Sequence, residues 1–234
     1  MKHKVITITL VLIIVGSIAL VLGCENQSKT STNSTSSNSN MKASTNKDTD
    51  KSAAKQEIKQ RKVQGKVTDL GAGTFTVGKD IEEGLYDVTP ADGQGNFIIQ
   101  NTQQPDLTVN EILGNVGDMG ISKARVKLVK DEQIQLEGIN KTHFEPVTAP
   151  FITDYKVTSL YSGRWSVGED IGSGRYVVTP VVGEGNFVVY SKNQMPKVNE
   201  ILGNSGVKQV TVNLDDGDII TIMSLNQVDF APQK

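Results

Sequence analysis

Gly73-Thr74-Phe75-Thr76-Val77-Gly78-Lys79-Asp80-Ile81-Glu82-Glu83-Gly84-Leu85-Tyr86-Asp87-Val88-Thr89-Pro90 is the stretch that decides the fold, because the chain repeats it. Ninety residues on it reads Gly163-Arg164-Trp165-Ser166-Val167-Gly168-Glu169-Asp170-Ile171-Gly172-Ser173-Gly174-Arg175-Tyr176-Val177-Val178-Thr179-Pro180. The match continues outward from there. Gly93-Gln94-Gly95-Asn96-Phe97 meets Gly183-Glu184-Gly185-Asn186-Phe187, and Val109 to Asn115 returns unchanged as Val198 to Asn204. Ile134-Gln135-Leu136 and Phe144-Glu145-Pro146 align with Ile220-Thr221-Ile222 and Phe230-Ala231-Pro232. Self-similarity over this length marks an internal duplication.

Each copy carries strand periodicity. Tyr86 and Val88, like Tyr176 and Val178, alternate with positions that differ between copies, such as Asp87 against Val177. Alternate side chains of a strand point to opposite faces, so the shared face is the buried one. Glycines in Asp80-Ile81-Glu82-Glu83-Gly84 and its counterpart mark tight turns. Val126 and Leu128 followed by Ile134 and Leu136, with Lys130-Asp131-Glu132 between them, predict a hairpin. In the second copy Asp215-Asp216-Gly217-Asp218 takes the place of that bend. Five to seven short strands per copy are expected. The fold class is then all-β, with two tandem small β-sandwich or barrel-like domains over residues 63–148 and 149–234. Pro146 to Asp154 forms the joint.

The pattern Phe/Trp-x-Val-Gly-x-Asp-Ile-x-x-Gly-x-Tyr, followed later by Leu-x-x-Gly-Asp-x-Ile-x-Ile, resembles a β-module recurrent in cell-surface and lipoprotein-type chains of Gram-positive bacteria. The resemblance spans both copies and implies no activity. The first copy departs from it at Lys130-Asp131-Glu132.

Ahead of the repeats the chain is organised differently. Lys2, His3 and Lys4 precede an apolar run from Val5 to Leu22, which ends in Val21-Leu22-Gly23-Cys24. A basic start, an apolar stretch and a small residue before the cut form a secretory signal. The ending resembles the lipobox of bacterial lipoproteins. That resemblance implies cleavage after residue 23 and a diacylglyceryl group, with acyl chains such as palmitate, on Cys24. It also implies a protein held on the extracytoplasmic face of the cell membrane. The alternative is an uncleaved transmembrane anchor, for which eighteen apolar-dominated residues are just long enough.

Residues 24–62 are rich in Ser, Thr, Asn and Lys and hold no apolar cluster. A disordered tether is expected there. As a coil it would span about 35 Å, and fully stretched about 125 Å. Lys51, Lys55, Lys59 and Lys62 recur at near-helical spacing without an apolar face, which suits a solvated end of the tether.

Composition narrows the function. A net charge of -2 gives no concentrated basic surface for nucleic acid. The only Cys is Cys24, so neither an internal disulfide nor a cysteine zinc site is available. His143 has Asp229 at its place in the second copy, which leaves little for a Ser-His-Asp arrangement. Asp80 and Asp170 sit where a turn-capping side chain is expected. Asp215-Asp216-Gly217-Asp218 lacks the ligand spacing of an EF-hand loop. No catalytic residue, metal site or cofactor is assigned.

Two groups are candidate binding residues. Asn110, Glu111 and Asn115, repeated as Asn199, Glu200 and Asn204, keep their polar character where neighbours change. Phe151, Tyr155, Tyr161, Trp165 and Tyr190 make the second copy richer in aromatics, and such residues, Tyr155, Tyr161, Trp165 and Tyr190 above all, could stack on a sugar ring or pack across strands. The expectation is a membrane-anchored, extracytoplasmic, non-enzymatic binding or adhesion protein with an envelope protein or glycan partner. The alternative is a structural or accessory subunit of a membrane or cell-envelope complex.

Overall fold

The computed structural model describes residues 59–100, 108–114 and 120–234. The expected signal segment, Cys24, the tether up to residue 58, and Asn115 lie outside the described residues. Among the described residues the fold is all-β, with six strands from each copy.

In the first copy the framework is a long antiparallel pair, β3 (Gly84–Gln100) and β6 (Gln133–Pro146). Register shifts between Pro90 and Asn96 bend this pair back on itself. Beyond the bend each half recruits different neighbours. The Tyr86–Val88 half adds β5 (Ala124–Leu128) on one side, while β1 (Thr68–Leu70) joins β6 opposite Phe144. The Phe97–Ile99 half adds β4 (Val109–Leu113), while β2 (Gly73–Thr76) joins β6 opposite Leu136. Two layers of four strand segments result, and the arrangement is sandwich-like and open at its edges. The second copy repeats it with β9 (Gly174–Tyr190) and β12 (Ile219–Pro232) as the bent pair. β11 (Val210–Leu214), β7 (Thr158–Leu160), β10 (Pro196–Leu202) and β8 (Gly163–Ser166) flank it.

The bend explains the repeated Gly-x-Gly. A Cβ on Gly95 would lie 1.9 Å from the carbonyl oxygen of Glu137, and one on Gly185 would lie 1.9 Å from that of Met223. Only glycine lets the two long strands approach so closely at their crossing.

The shared face is buried. Tyr86, Val88, Phe97, Leu136 and Phe144 belong to one apolar cluster, and Tyr176, Val178, Phe187, Ile222 and Phe230 to another. Each such side chain contributes roughly 1.5–3 kcal/mol by leaving water. Phe144 meets the rings of both Tyr86 and Phe97 edge-on, at 6.1 Å in each case. The phenols of Tyr86 and Tyr176 are satisfied by turn carbonyls, those of Glu82 and Gly172.

The expected hairpins do not form. β5 pairs with β3, and the adjoining end of β6 pairs with β2, so the chain at Lys130-Asp131-Glu132 passes from one layer to the other. Asp215-Asp216-Gly217-Asp218 does the same between β11 and β12, which pair with β9 and with β8 respectively. Val126 and Ile134 do point into one core, but from opposite layers. Period-two alternation is blind to that difference, because it reports which side is buried and not which strand lies alongside.

Candidate functional site

One parallel bridge, Arg125 to Gly163, makes the strands of both copies a single continuous sheet. The amide of Arg125 donates to the carbonyl of Ser162 at 2.9 Å. A Cβ on Gly163 would stand 2.4 Å from the carbonyl oxygen of Arg125, so a bare backbone is needed there. β5 of the first copy thereby meets β8 of the second, and β12 of the second copy lies against β4.

Charged side chains fill the junction. Asp87 on β3 takes two hydrogen bonds from the Arg125 guanidinium, at 2.9 and 3.1 Å, and is also paired with Lys123 at 2.9 Å. The Tyr161 hydroxyl reaches the same carboxylate at 2.5 Å. Arg125 lies 4.1 Å over the ring of Trp165 and donates to Asp170 at 3.1 Å. Burial alone would raise the Asp87 carboxyl. The hydrogen bonds and charge of Arg125, with Tyr161 and Lys123, outweigh burial and hold it below its usual range. Burial, opposed by Arg125 and reinforced by Asp87, pushes the Tyr161 phenol far above its usual range, so it remains a donor.

Below this lock residues 59–62 enter the junction. Arg61 donates to Asp170 at 2.8 Å, to the side chain of Glu169 at 3.3 Å and to its carbonyl at 3.2 Å. Its Nε donates to the carbonyl of Ala149 at 3.3 Å, and its guanidinium stacks 4.7 Å from the Phe151 ring. Arg61 therefore forms one wall of a groove of about 660 Å³, with Lys62, Glu83, Lys127, Phe151 and Arg164 among its other lining residues. Residues 59–62, the described end of the expected tether, have no regular secondary structure, yet they are packed onto the second copy.

On the other side of the junction Glu111 is buried. Its carboxylate accepts from the amide of Ser224 at 3.0 Å and from its hydroxyl at 3.3 Å. Burial raises the Glu111 carboxyl, and the Ser224 donors only partly offset it. Glu111 and Thr221 line a cavity of about 40 Å³, room for a water or two. Nearby, Asn226 accepts from Ser122 at 2.7 Å and donates to the carbonyl of Gly120 at 2.9 Å.

The residues singled out from sequence divide between this junction and the free surface. Trp165 is buried, and its indole N–H donates to the carbonyl of Tyr161 at 2.9 Å. Tyr161 and Trp165 thus face Asp87 and Arg125, with their rings 4.7 Å apart. Tyr155 is exposed. It packs edge-on to Tyr176 at 5.0 Å and ties the C-terminal end through the Gln233 carbonyl. Tyr190 borders a separate cleft with Arg164, Lys192 and Gln194. Asn110, Asn199 and Asn204 are exposed, and Asn204 accepts from Lys208 at 2.9 Å. Glu200 is half-buried, so the two copies of the Asn-Glu motif are placed differently. Asp80 and Asp170 each cap a turn, accepting from the amides of Thr76 and Ser166 at 2.8 Å.

Sequence reasoning passed over Arg61, Arg125 and Ser224. The usable signal was positional: Arg125 corresponds to Thr211, and Asp87 to Val177, so a charge pair exists in one copy only. Among the described residues no cluster of three or more His, Cys, Asp and Glu is placed to hold a metal. No protein-family model, curated protein or solved structure matches the chain.

Proposed function

We propose that the protein is a lipoprotein anchored through Cys24 on the extracytoplasmic face of the cell membrane, and that its two β-modules act together as one non-enzymatic binding unit. The groove of about 660 Å³ at the junction carries the binding part of this reading. Its volume falls within the roughly 300–1,000 Å³ typical of ligand sites. Its walls offer cations, carboxylates and one aromatic ring, a lining suited to a charged protein segment or a charged envelope polymer. The lipobox-like Val21-Leu22-Gly23-Cys24 and the polar stretch behind it support the anchor. Two acyl chains suffice for stable membrane attachment.

The test has two arms, both on the full-length protein in a Gram-positive host. Intact mass and membrane partition are compared between the wild type and Cys24→Ala. The lipoprotein reading requires loss of the signal, a lipid-sized mass gain and release of the variant from the membrane. Detergent-purified wild type and Lys62→Glu/Lys127→Glu are then offered separately to envelope protein and envelope glycan fractions. Binding to one fraction that the charge-reversed variant loses is the expected result. Equal retention of both forms, or none by either fraction, would overturn the groove as the binding surface.

A further inference from the structure

The groove contains a finished binding site for one chemical group, and the chain's own Arg61 occupies it. Four acceptors surround that guanidinium: the carbonyl oxygens of Ala149 and Glu169, and the carboxylates of Glu169 and Asp170. The Phe151 ring covers its face. Nε, Nη1 and Nη2 are each engaged, which fits the planar fork of arginine and not the point charge of lysine. The acceptors come from the joint between copies and from the turn after β8. The folded domains therefore build this cradle, and residues 59–62 only fill it.

Its occupant is placed to exchange. Asp170 Oδ1 is shared between Arg61 and Arg125, at 2.8 and 3.1 Å. If Arg61 leaves, the buried carboxylate keeps a cation, so the departure strands no unpaired charge. Glu169 is 47% exposed and can be resolvated. Arg125 differs sharply, because Asp87 and Trp165 pin it from two sides. Of the two guanidiniums on Asp170, one belongs to the junction and the other to a strap. Besides Arg61, that strap is held through the Lys59 carbonyl, which accepts from the Phe151 amide at 3.0 Å, and through the Lys59 ammonium over the same ring. The first copy has Lys79 where the cradle has Glu169, so the site exists once per chain.

We infer that this cradle recognises an arginine side chain on a partner polypeptide, and that Arg61 is a built-in competitor which keeps the site closed until the partner displaces residues 59–62. The inference deepens the reading of the groove as a binding surface by naming the group bound on its Glu169–Phe151 wall. The Lys62 and Lys127 variants above leave all four cradle acceptors in place, although Lys62 is itself a residue of the strap. Loss of envelope binding there and failure of arginine recognition here are therefore separate outcomes.

The probe is the capped tetrapeptide Lys-Gln-Arg-Lys, the sequence of residues 59–62, beside Lys-Gln-Lys-Lys as control. Binding is followed by calorimetry and by the fluorescence of Trp165, the chain's single tryptophan, which stacks on Arg125 next to Asp170. Full-length Arg61→Ala should bind the arginine peptide one to one, at least tenfold more tightly than the wild type does and tenfold more tightly than it binds the lysine peptide. Adding Glu169→Arg should abolish that binding. Equal affinity for the two peptides, or equal affinity of Arg61→Ala and the wild type, overturns the inference. Should Arg61→Ala fail to fold, the wild type still decides the matter. Arginine amide, and not lysine amide, should speed hydrogen exchange at the Phe151 amide by freeing it from Lys59. Equal effects of the two amides also overturn the inference.

Discussion

Glu111 and Ser224 meet across the junction, where the carboxylate of one caps the backbone amide of the other. Ser224 sits at φ 63, in the left-handed region, and its counterpart in the first copy is Gly138 at φ 78. The bend thus keeps its conformation while the residue changes to one with a hydroxyl. That hydroxyl and the exposed amide are what Glu111 binds.

The buried Glu111 carboxyl carries a pH signature. Its folded value is raised above the ordinary 4.5 by burial, so the stability it contributes is complete below that pH. It is lost as pH rises through the folded value, because the ionised form is penalised in the folded protein. Glu111→Gln retains an acceptor for the Ser224 amide and removes the titration. Melting temperatures across pH 4 to 8 should show the wild type declining relative to the variant as pH rises. Parallel curves would place the Glu111 carboxylate in contact with water.

Asp87→Asn tests the lock itself. The substitution leaves Arg125 with Asp170 alone and removes the charge facing Lys123. Breaking a buried pair costs about 3–5 kcal/mol, and the remaining Asp170 favours the lower figure of about 3. Urea denaturation at pH 7 measures it. The folded Asp87 value lies below the ordinary 3.8, so its contribution is present above that pH and lost as pH falls through the folded value. Asp87→Asn should therefore denature in acid with a shallower pH dependence than the wild type.

The buried faces were legible in the sequence and the junction was not. Tyr86 and Val88 announced a buried face because the second copy keeps them as Tyr176 and Val178. That comparison works only where both copies obey the same constraint. Arg125 and Asp87 are held by the other copy, so the repeat shows Thr211 and Val177 in their places, and single-copy charges resemble solvated surface. Trp165 and Tyr161 stood out as aromatic excess, yet periodicity carries no information on whether an aromatic faces solvent or another module. The hairpin reading failed for a related reason, since a chain crossing between layers buries the same alternate residues as one turning within a layer. Arg61 left no signal, because its neighbours in sequence are polar and its partners lie more than eighty residues away.

Gly163→Ala against Gly73→Ala separates the junction from local backbone strain. Both glycines sit at comparable positive φ, 140 and 151, so the conformational cost of a Cβ is similar in the two. At Gly73 the added carbon meets only the Phe75 ring, at 3.3 Å, and at Gly163 it runs into the backbone of Arg125. Overpacking of this kind costs about 1–3 kcal/mol, and Gly163→Ala should be the less stable variant by that amount in urea. The change should also shift Trp165 emission, as Arg125 moves off the indole. Equal losses from the two variants would mean that the backbone bridge between Arg125 and Gly163 contributes nothing to holding the copies together.

His143 offers a titration confined to one copy. Its Nδ1 lies 2.7 Å from Asp69 and its Nε2 3.3 Å from Glu145, while Lys141 holds the other oxygen of Asp69 at 2.8 Å. The hydrogen bond to Asp69 does most to raise the imidazole above its ordinary 6.5, burial opposes it, and Glu145 adds to the rise. Stability from the cation is therefore complete below 6.5 and lost as pH climbs through the folded value. Proton NMR should place the His143 midpoint above 6.5 in the wild type and closer to it in Asp69→Asn. The equivalent cross-strand pair in the second copy is Ser159 donating to Asp229 at 2.6 Å, which has no imidazole to titrate. Ser159→Ala should therefore leave the His143 midpoint where it was. A midpoint that moved in Ser159→Ala and stayed fixed in Asp69→Asn would show that the imidazole answers to the charge of the whole molecule and not to its neighbour on β1.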